Sequence, residues 1–221
     1  MRVAGRWAEL EELVGHGKPH ADEDSYVRLF EELGRVHTAL RASWEPHPPE
    51  PLDDHKTFGQ LRYSIGLTRR RLGPRSEPVV RRLRTLAREL VHLRKDVELP
   101  CAPIHGDYKL DNVGELPDGS WVTFDFDFAR VRERVYDVAA SLHHVAPAGN
   151  LVEPQRLLAA YERTAPEALT RDEHRWLPGA LALIPLHWAA TAGLVGDGIR
   201  EAETAMTAAE AWWSRRAELG S

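Results

Sequence analysis

Between His105 and Asn112 the chain reads HGDYKLDN, and thirteen residues after Asn112 it reads DFD, from Asp125 to Asp127. These residue types suit phosphoryl transfer. That reaction needs one carboxylate near the attacking hydroxyl, and further carboxylates with a neutral amide to hold magnesium against nucleotide phosphates. Asp107, Asn112, Asp125 and Asp127 supply such a set within 21 residues.

Protein kinases carry the pattern HRDLxxxN followed by DFG, with the Asp as base and the Asn and second Asp as metal ligands. Here the order agrees, as do the spacing from Asp107 to Asn112 and a lysine two places after the Asp. Gly106 replaces the arginine and Asp127 replaces the glycine. With these two changes, and with Tyr136, Asp137, Val138 and Ala139 matching a YDLA-like helix start, the chain resembles the aminoglycoside phosphotransferase and choline kinase-like (APH) superfamily of small-molecule kinases. The resemblance implies ATP as co-substrate and Mg2+ as cofactor. It implies that Asp107 acts on the substrate hydroxyl, that Asn112 and Asp125 hold the metal and nucleotide, and that Lys109 neutralises the transferred phosphate. Asp127 is a further metal contact or a brace for its loop. His105 braces the loop by hydrogen bonding, and Asp137 tethers its helix to that loop.

The elements that must position these groups are mostly helical. Apolar residues from Tyr26 to Leu40, with His37 among them, recur at spacings of three and four and predict an amphipathic helix over 22–42, capped by Asp22 or Asp24. The segment SWEPHPPEPLDD is too rich in proline to be anything but a loop. Helices are expected over 56–72 and 77–94, separated by Gly73 and Pro74. Pro117, Asp118 and Gly119 join Val113–Leu116 to Ser120–Phe124 as a β-hairpin, which brings Asn112 and Asp125 to neighbouring strand ends. Four more helices are expected over 134–145, 153–163, 171–194 and 197–218, with Trp176, Trp188, Trp212 and Trp213 packed in the core. The fold class is therefore mainly α with one small hairpin, and the resemblance makes it a protein kinase-like C-terminal lobe.

At 221 residues the chain is long enough for a single domain. We expect a helical subdomain over 1–100, the two loops and hairpin over 101–130, and C-terminal helices over 131–221. A net charge of −5 and a pI near 6.1 give no electrostatic case for nucleic acid or an anionic membrane and suit a cationic or neutral small substrate. The single cysteine, Cys101, cannot form an internal disulfide and reads as a packed strand or loop residue. No apolar run suggests a signal peptide or a membrane span, so a cytoplasmic location is expected. His143 and His144 are adjacent on a helix and diverge, and His16 and His20 lack fixed ligand geometry, so no zinc site is expected. Asp53, Asp54 and the acidic residues of 167–173 read as solvated surface or as a rim for a cationic substrate.

The resemblance starts near Val3 to Gly5, which looks like the hinge after a nucleotide-covering lobe. The expectation is a phosphotransferase acting on a small-molecule hydroxyl such as that of an aminoglycoside, choline or homoserine. Its nucleotide-covering lobe would be lost by truncation or a misassigned start, or supplied in trans by a partner or a second copy. The alternatives are a non-catalytic, pseudokinase-like binding module and, more weakly, a metal-dependent hydrolase.

Overall fold

The apolar stripe that starts at Tyr26 winds into α1 (Glu23–Ser43), burying Tyr26, Leu29, Phe30, Leu33 and His37 along one face. Its first turn is closed by Asp22, whose carboxylate accepts the Ser25 N–H at 2.9 Å. That bond holds the Asp22 carboxyl below its usual range. The computed structural model describes residues 2–3, 6–7, 17–43, 54–145, 152–192 and 198–220, with backbone alone for 2–3, 6–7 and 54–56. The proline-rich loop, Asp53, His16 and the second half of the expected hinge lie outside these residues, as does the Asp54 side chain.

Helices α2 (Asp54–Leu72) and α3 (Glu77–Lys95) fall where the periodicity puts them, joined by a single 3-10 turn over Gly73–Ser76. Thr68 anchors α2 by donating its buried hydroxyl to the Ala190 carbonyl at 2.6 Å. Six short strands occur among the described residues: β1 (Arg2–Val3), β2 (Arg6–Trp7), β3 (Cys101–Ile104), β4 (Val113–Glu115), β5 (Trp121–Thr123) and β6 (Arg130–Glu133). They form three antiparallel pairs, β1 with β2, β3 with β6 and β4 with β5. The expected hairpin is the last of these, turned through Leu116 to Ser120 with Gly119 at φ +81°.

The β3–β6 ladder was not anticipated. It joins segments distant in sequence, and β3 contains Pro103 and shows no apolar alternation. It matters because β3 feeds directly into His105 while β6 leads away from the DFD segment, so one ladder clamps the roots of both loops. Cys101 opens β3 but is exposed rather than packed. Partial burial, then the Glu133 carboxylate, raise its thiol pKa, which leaves it unactivated.

The C-terminal part holds α4 (Val135–Val145), α5 (Pro154–Glu162), α6 (Arg171–Thr191), α7 (Gly198–Ser214) and α8 (Arg216–Leu219). The last expected helix is broken in two at Arg215, whose guanidinium lies 5.7 Å from the Trp212 ring and pairs with Glu218. α6 runs through Pro178 and Pro185 and begins with a capping box between Thr170 and Glu173. Glu173 is fully buried, where both its oxygens accept from Arg134 at 2.8 Å. It is thus no part of a substrate rim, and Glu167 is taken up by Arg41.

One continuous apolar cluster extends from Tyr26 on α1 to Leu219 on α8. Trp176 is fully buried in it, Trp212 nearly so and Trp213 partly. Trp188 departs from the expectation, with 58% of its surface exposed. At Gly34 the backbone of α1 approaches the end of α5 so closely that a Cβ would overlap Thr164 and the Tyr161 carbonyl. No helix among the described residues is long and apolar enough to cross a membrane.

Candidate active site

The loop from His105 to Asn112 is held from below by α4. Asp137, 1% exposed, accepts the His105 N–H through Oδ2 at 2.9 Å and the Gly106 N–H through Oδ1 at 3.0 Å. One helical turn on, Ser141 donates its hydroxyl to the Tyr108 carbonyl at 2.8 Å. Two side chains on one face of a helix thereby fix three successive parts of the loop.

His105 is buried and ties this loop to the DFD segment. Its Nε2 lies 3.0 Å from the Phe124 carbonyl, which can only accept, so Nε2 carries the proton. Nδ1 in turn accepts the Asp107 N–H at 3.3 Å. With both nitrogens engaged this way the ring braces two loops and has no proton to exchange with a substrate. Its face also lies 4.6 Å from the ring of Phe126.

Gly106 takes φ +89°, and a Cβ there would fall on the Phe128 carbonyl and within 2.9 Å of the Phe128 Cβ. The glycine in place of the kinase arginine is therefore a packing requirement of this loop pair. On the other side of the contact, Phe126 to Phe128 form a single 3-10 turn that begins after Asp125. Phe126 and Phe128 are exposed, as are Asp125 and Asp127.

Asp107, Lys109 and Asn112 converge. The Lys109 ammonium donates to Asp107 Oδ2 at 2.6 Å, and both side chains are about one quarter exposed, at 28% and 26%. Asn112 donates through Nδ2 to the Asp107 carbonyl at 2.8 Å and to Oδ2 at 3.2 Å. Its Oδ1 accepts no hydrogen bond from the described residues, which leaves an amide oxygen available to a cation. The Asn112 carbonyl accepts the Phe124 N–H at 3.2 Å, so the hairpin ends with Asn112 beside the residue that precedes Asp125. Asp111 points away and meets Lys18 at the surface. No group of three His, Cys, Asp or Glu among the described residues is placed to hold a metal alone, so a cation here would rely on Asn112, Asp125, Asp127 and phosphate oxygens.

Three residues of this architecture escaped the sequence reading. Ser141 follows Asp137 by one turn, a spacing that could have flagged it. His37 and Tyr161 were masked by their own periodicity, since each sits on a buried helix face among apolar neighbours.

A groove of about 780 Å³ is lined by His143, Pro185, Trp188, Arg200, Glu201 and Ala205 among others. The His143 ring stands edge-on to Trp188 with centroids 5.5 Å apart, and its Nδ1 accepts the Trp212 indole N–H at 3.3 Å. Burial holds His143 below its ordinary pKa. The adjacent His144 turns the other way, where burial and then the Lys109 charge lower its pKa while Asp107 and Asp111 raise it. The last turn of α4 thus carries His143 into the groove and His144 toward the Lys109 and Asp107 charges.

A helical lobe with HGD and DFD loops rooted on one ladder, an anchoring aspartate beneath and a groove at the end of α4 defines a kinase-like architecture. The model of the phosphotransferase enzyme family, APH, matches residues 2–177, and the chain belongs to that family. Among solved structures it is similar to an aminoglycoside phosphotransferase from Alicyclobacillus acidocaldarius at 16% identity and a TM-score of 0.67, covering 95% of this chain and 70% of that one. An ethanolamine kinase from Plasmodium vivax matches at 16% identity and a TM-score of 0.65, over 92% of this chain and 65% of that one. An amicoumacin kinase solved with AMP-PNP, Ca2+ and Ami matches at 14% identity and 0.58, over 88% and 61%. The chain thus spans roughly two thirds of the length of these kinases. No curated protein sequence matches it.

Proposed function

We propose that the chain is the lobe of an ATP- and Mg2+-dependent phosphotransferase that acts on the hydroxyl of a small amine-bearing alcohol. The observation that carries this reading is the convergence of Lys109 and Asn112 on Asp107 with the Asn112 amide oxygen left over. Asp107 would orient the acceptor hydroxyl and take its proton. Asn112, Asp125 and Asp127 would hold the cation, and a bound nucleotide would draw Lys109 from Asp107 onto the transferred phosphate. The solved amicoumacin kinase, with its nucleotide analogue and Ca2+, supports a nucleotide and a divalent metal.

On the acceptor side, the exposed face of Trp188 suits a cationic amine, in a groove that Glu201 and Arg200 both line. The ethanolamine and aminoglycoside specificities in the names of two similar structures fit the same chemistry.

The test is calorimetric titration of the purified chain with Mg-ATP, repeated on Asp125→Ala. The expected result is magnesium-dependent binding in the natural chain that falls by at least about tenfold in the variant. Equal binding by both would remove Asp125 from the metal site, and no binding by either would sink the claim that this lobe alone holds nucleotide.

A further inference from the structure

α1 carries none of the motif residues, yet two of its side chains reach the elements that hold the site. Beneath the HGD loop, buried His37 lies 3.0 Å from Asp137 Oδ2 and 2.9 Å from the Tyr161 hydroxyl. Nearer the start of the helix, Arg28 reaches the β4–β5 hairpin. Its Nη2 donates to the Gly119 carbonyl in the turn at 2.7 Å, and its guanidinium lies 4.4 Å from the centre of the Trp121 ring on β5. Nη1 also stands 3.9 Å from the Glu115 carboxylate on β4. One side chain thus meets the turn and both strands.

The first two contacts need a planar cation. A guanidinium can lay its face on an indole while an N–H in its plane reaches a carbonyl, whereas an ammonium is a point charge that serves one or the other. The pairs with Glu115 and Glu32, both at 3.9 Å, add little, because 35% of the Arg28 side chain is exposed and solvent screens them.

The hairpin needs such a grip. Its strands are three residues each, and a pair that short is marginal on its own in water. The β4 edge is tied to the chain before α1, where Gly17 and Glu115 exchange backbone bonds of 2.8 and 2.9 Å. Arg28 supplies the corresponding tie for the turn and β5. At its root the hairpin closes through the Phe124 N–H to the Asn112 carbonyl at 3.2 Å, the bond that sets Asn112 beside the residue preceding Asp125.

We propose that Arg28 is a positioning residue that clamps the β4–β5 hairpin to α1 and so keeps Asn112 and Asp125 side by side. The proposal deepens the phosphotransferase reading and rests on it for the metal role of those two residues, but its physical core concerns the hairpin alone. Arg28→Leu removes the guanidinium, Arg28→Lys keeps the charge without the planar fork, and Glu115→Gln removes the ion pair while leaving the clamp.

The experiment is residue-resolved amide hydrogen exchange on the full chain and the three variants, with calorimetric titration of Mg-ATP beside it. In Arg28→Leu the Gly119 and Phe124 amides should exchange at least about fivefold faster relative to α3 amides, with the melting temperature changed by less than about 3 °C. Arg28→Lys should come within about twofold of Arg28→Leu, and Glu115→Gln within about twofold of the natural chain. The magnesium concentration that half-saturates nucleotide binding should rise at least about threefold in Arg28→Leu, while affinity at saturating magnesium changes by less than about twofold. Unchanged exchange at 119 and 124, acceleration spread evenly over α3, or full rescue by Arg28→Lys would overturn the clamp. Faster exchange with an unchanged magnesium requirement would confine Arg28 to the fold and overturn its positioning role. Absence of Mg-ATP binding in the natural chain would count against the phosphotransferase reading, while the exchange rates would still decide on Arg28.

Discussion

Asp125 adopts φ 67° and ψ 57°, a left-handed backbone that residues with a side chain take up at a cost of about 1 kcal/mol or more. It is the only non-glycine residue among those described with positive φ. Strain at an exposed carboxylate, one residue past the backbone bond from Phe124 to Asn112, fits the role proposed for Asp125 as a metal ligand. Asp125→Gly should therefore be more stable than Asp125→Ala by about 1 kcal/mol, while both lose nucleotide binding. Thermal unfolding compared with calorimetry checks this, and equal stability of the two variants would mean that the backbone is not strained. At this scale much of the candidate site was legible, because Asp107, Asn112 and Asp125 stand at the spacing of the motifs. His37 was not, since a histidine on an apolar stripe reads as a core residue until its two partners, 100 and 124 residues away, are placed.

The elements show a second pattern, in the seam between α4 and α6. His143 on α4 and His187 on α6, both partly buried, are held below the ordinary histidine value of 6.5, chiefly by burial, with Arg132 adding to the effect at His187. A histidine whose folded pKa is depressed is protonated first in the unfolded chain, so stability rises with pH across the interval between the two values. The contribution is fully present above about pH 6.5 and is lost as pH falls below it. The melting temperature should drop between pH 7 and pH 5, and His187→Gln should flatten that slope. Scanning fluorimetry at both pH values settles the matter, and a melting temperature flat over that range would contradict it. Element boundaries were mostly legible because periodicity, proline and glycine marked them. The β3–β6 ladder was not, since it depends on a long-range pairing, and no residue signal marks the break at Arg215.

For the molecule as a whole, net charge conceals an uneven distribution. Between Thr57 and Lys95 lie 11 of the 29 Lys and Arg but only 2 of the 34 Asp and Glu, so this segment carries a formal +9 and the remainder −14. The helices then gather the cations, because Arg81, Arg88, His92 and Lys95 share the solvent stripe of α3 while Arg62 and Arg70 are exposed on α2. Arg69 and Arg82 are partly neutralised by Glu77 and Glu210. The protein should thus bind a sulfonate cation exchanger at pH 8, where its net charge is negative, and elute in about 0.3 M salt. A variant carrying Arg81→Glu and Arg88→Glu should pass through unretained, and passage of the natural chain would show that the stripe is too dispersed to act as one surface. The composition reading saw only the sum, since the sharing of a face appears once helical positions are assigned.

The contact between Gly106 and the Phe128 carbonyl also bears on descent. An arginine at 106, as protein kinases have it, cannot be reached from this backbone by one substitution, because any side chain meets the second loop before it meets solvent. The HGD and HRD signatures are therefore separated by a concerted rebuilding of two loops. A lineage crossing between them would pass through an intermediate with both loops altered, and an inventory of natural variants of this chain should hold glycine at 106 wherever Phe128 keeps its place.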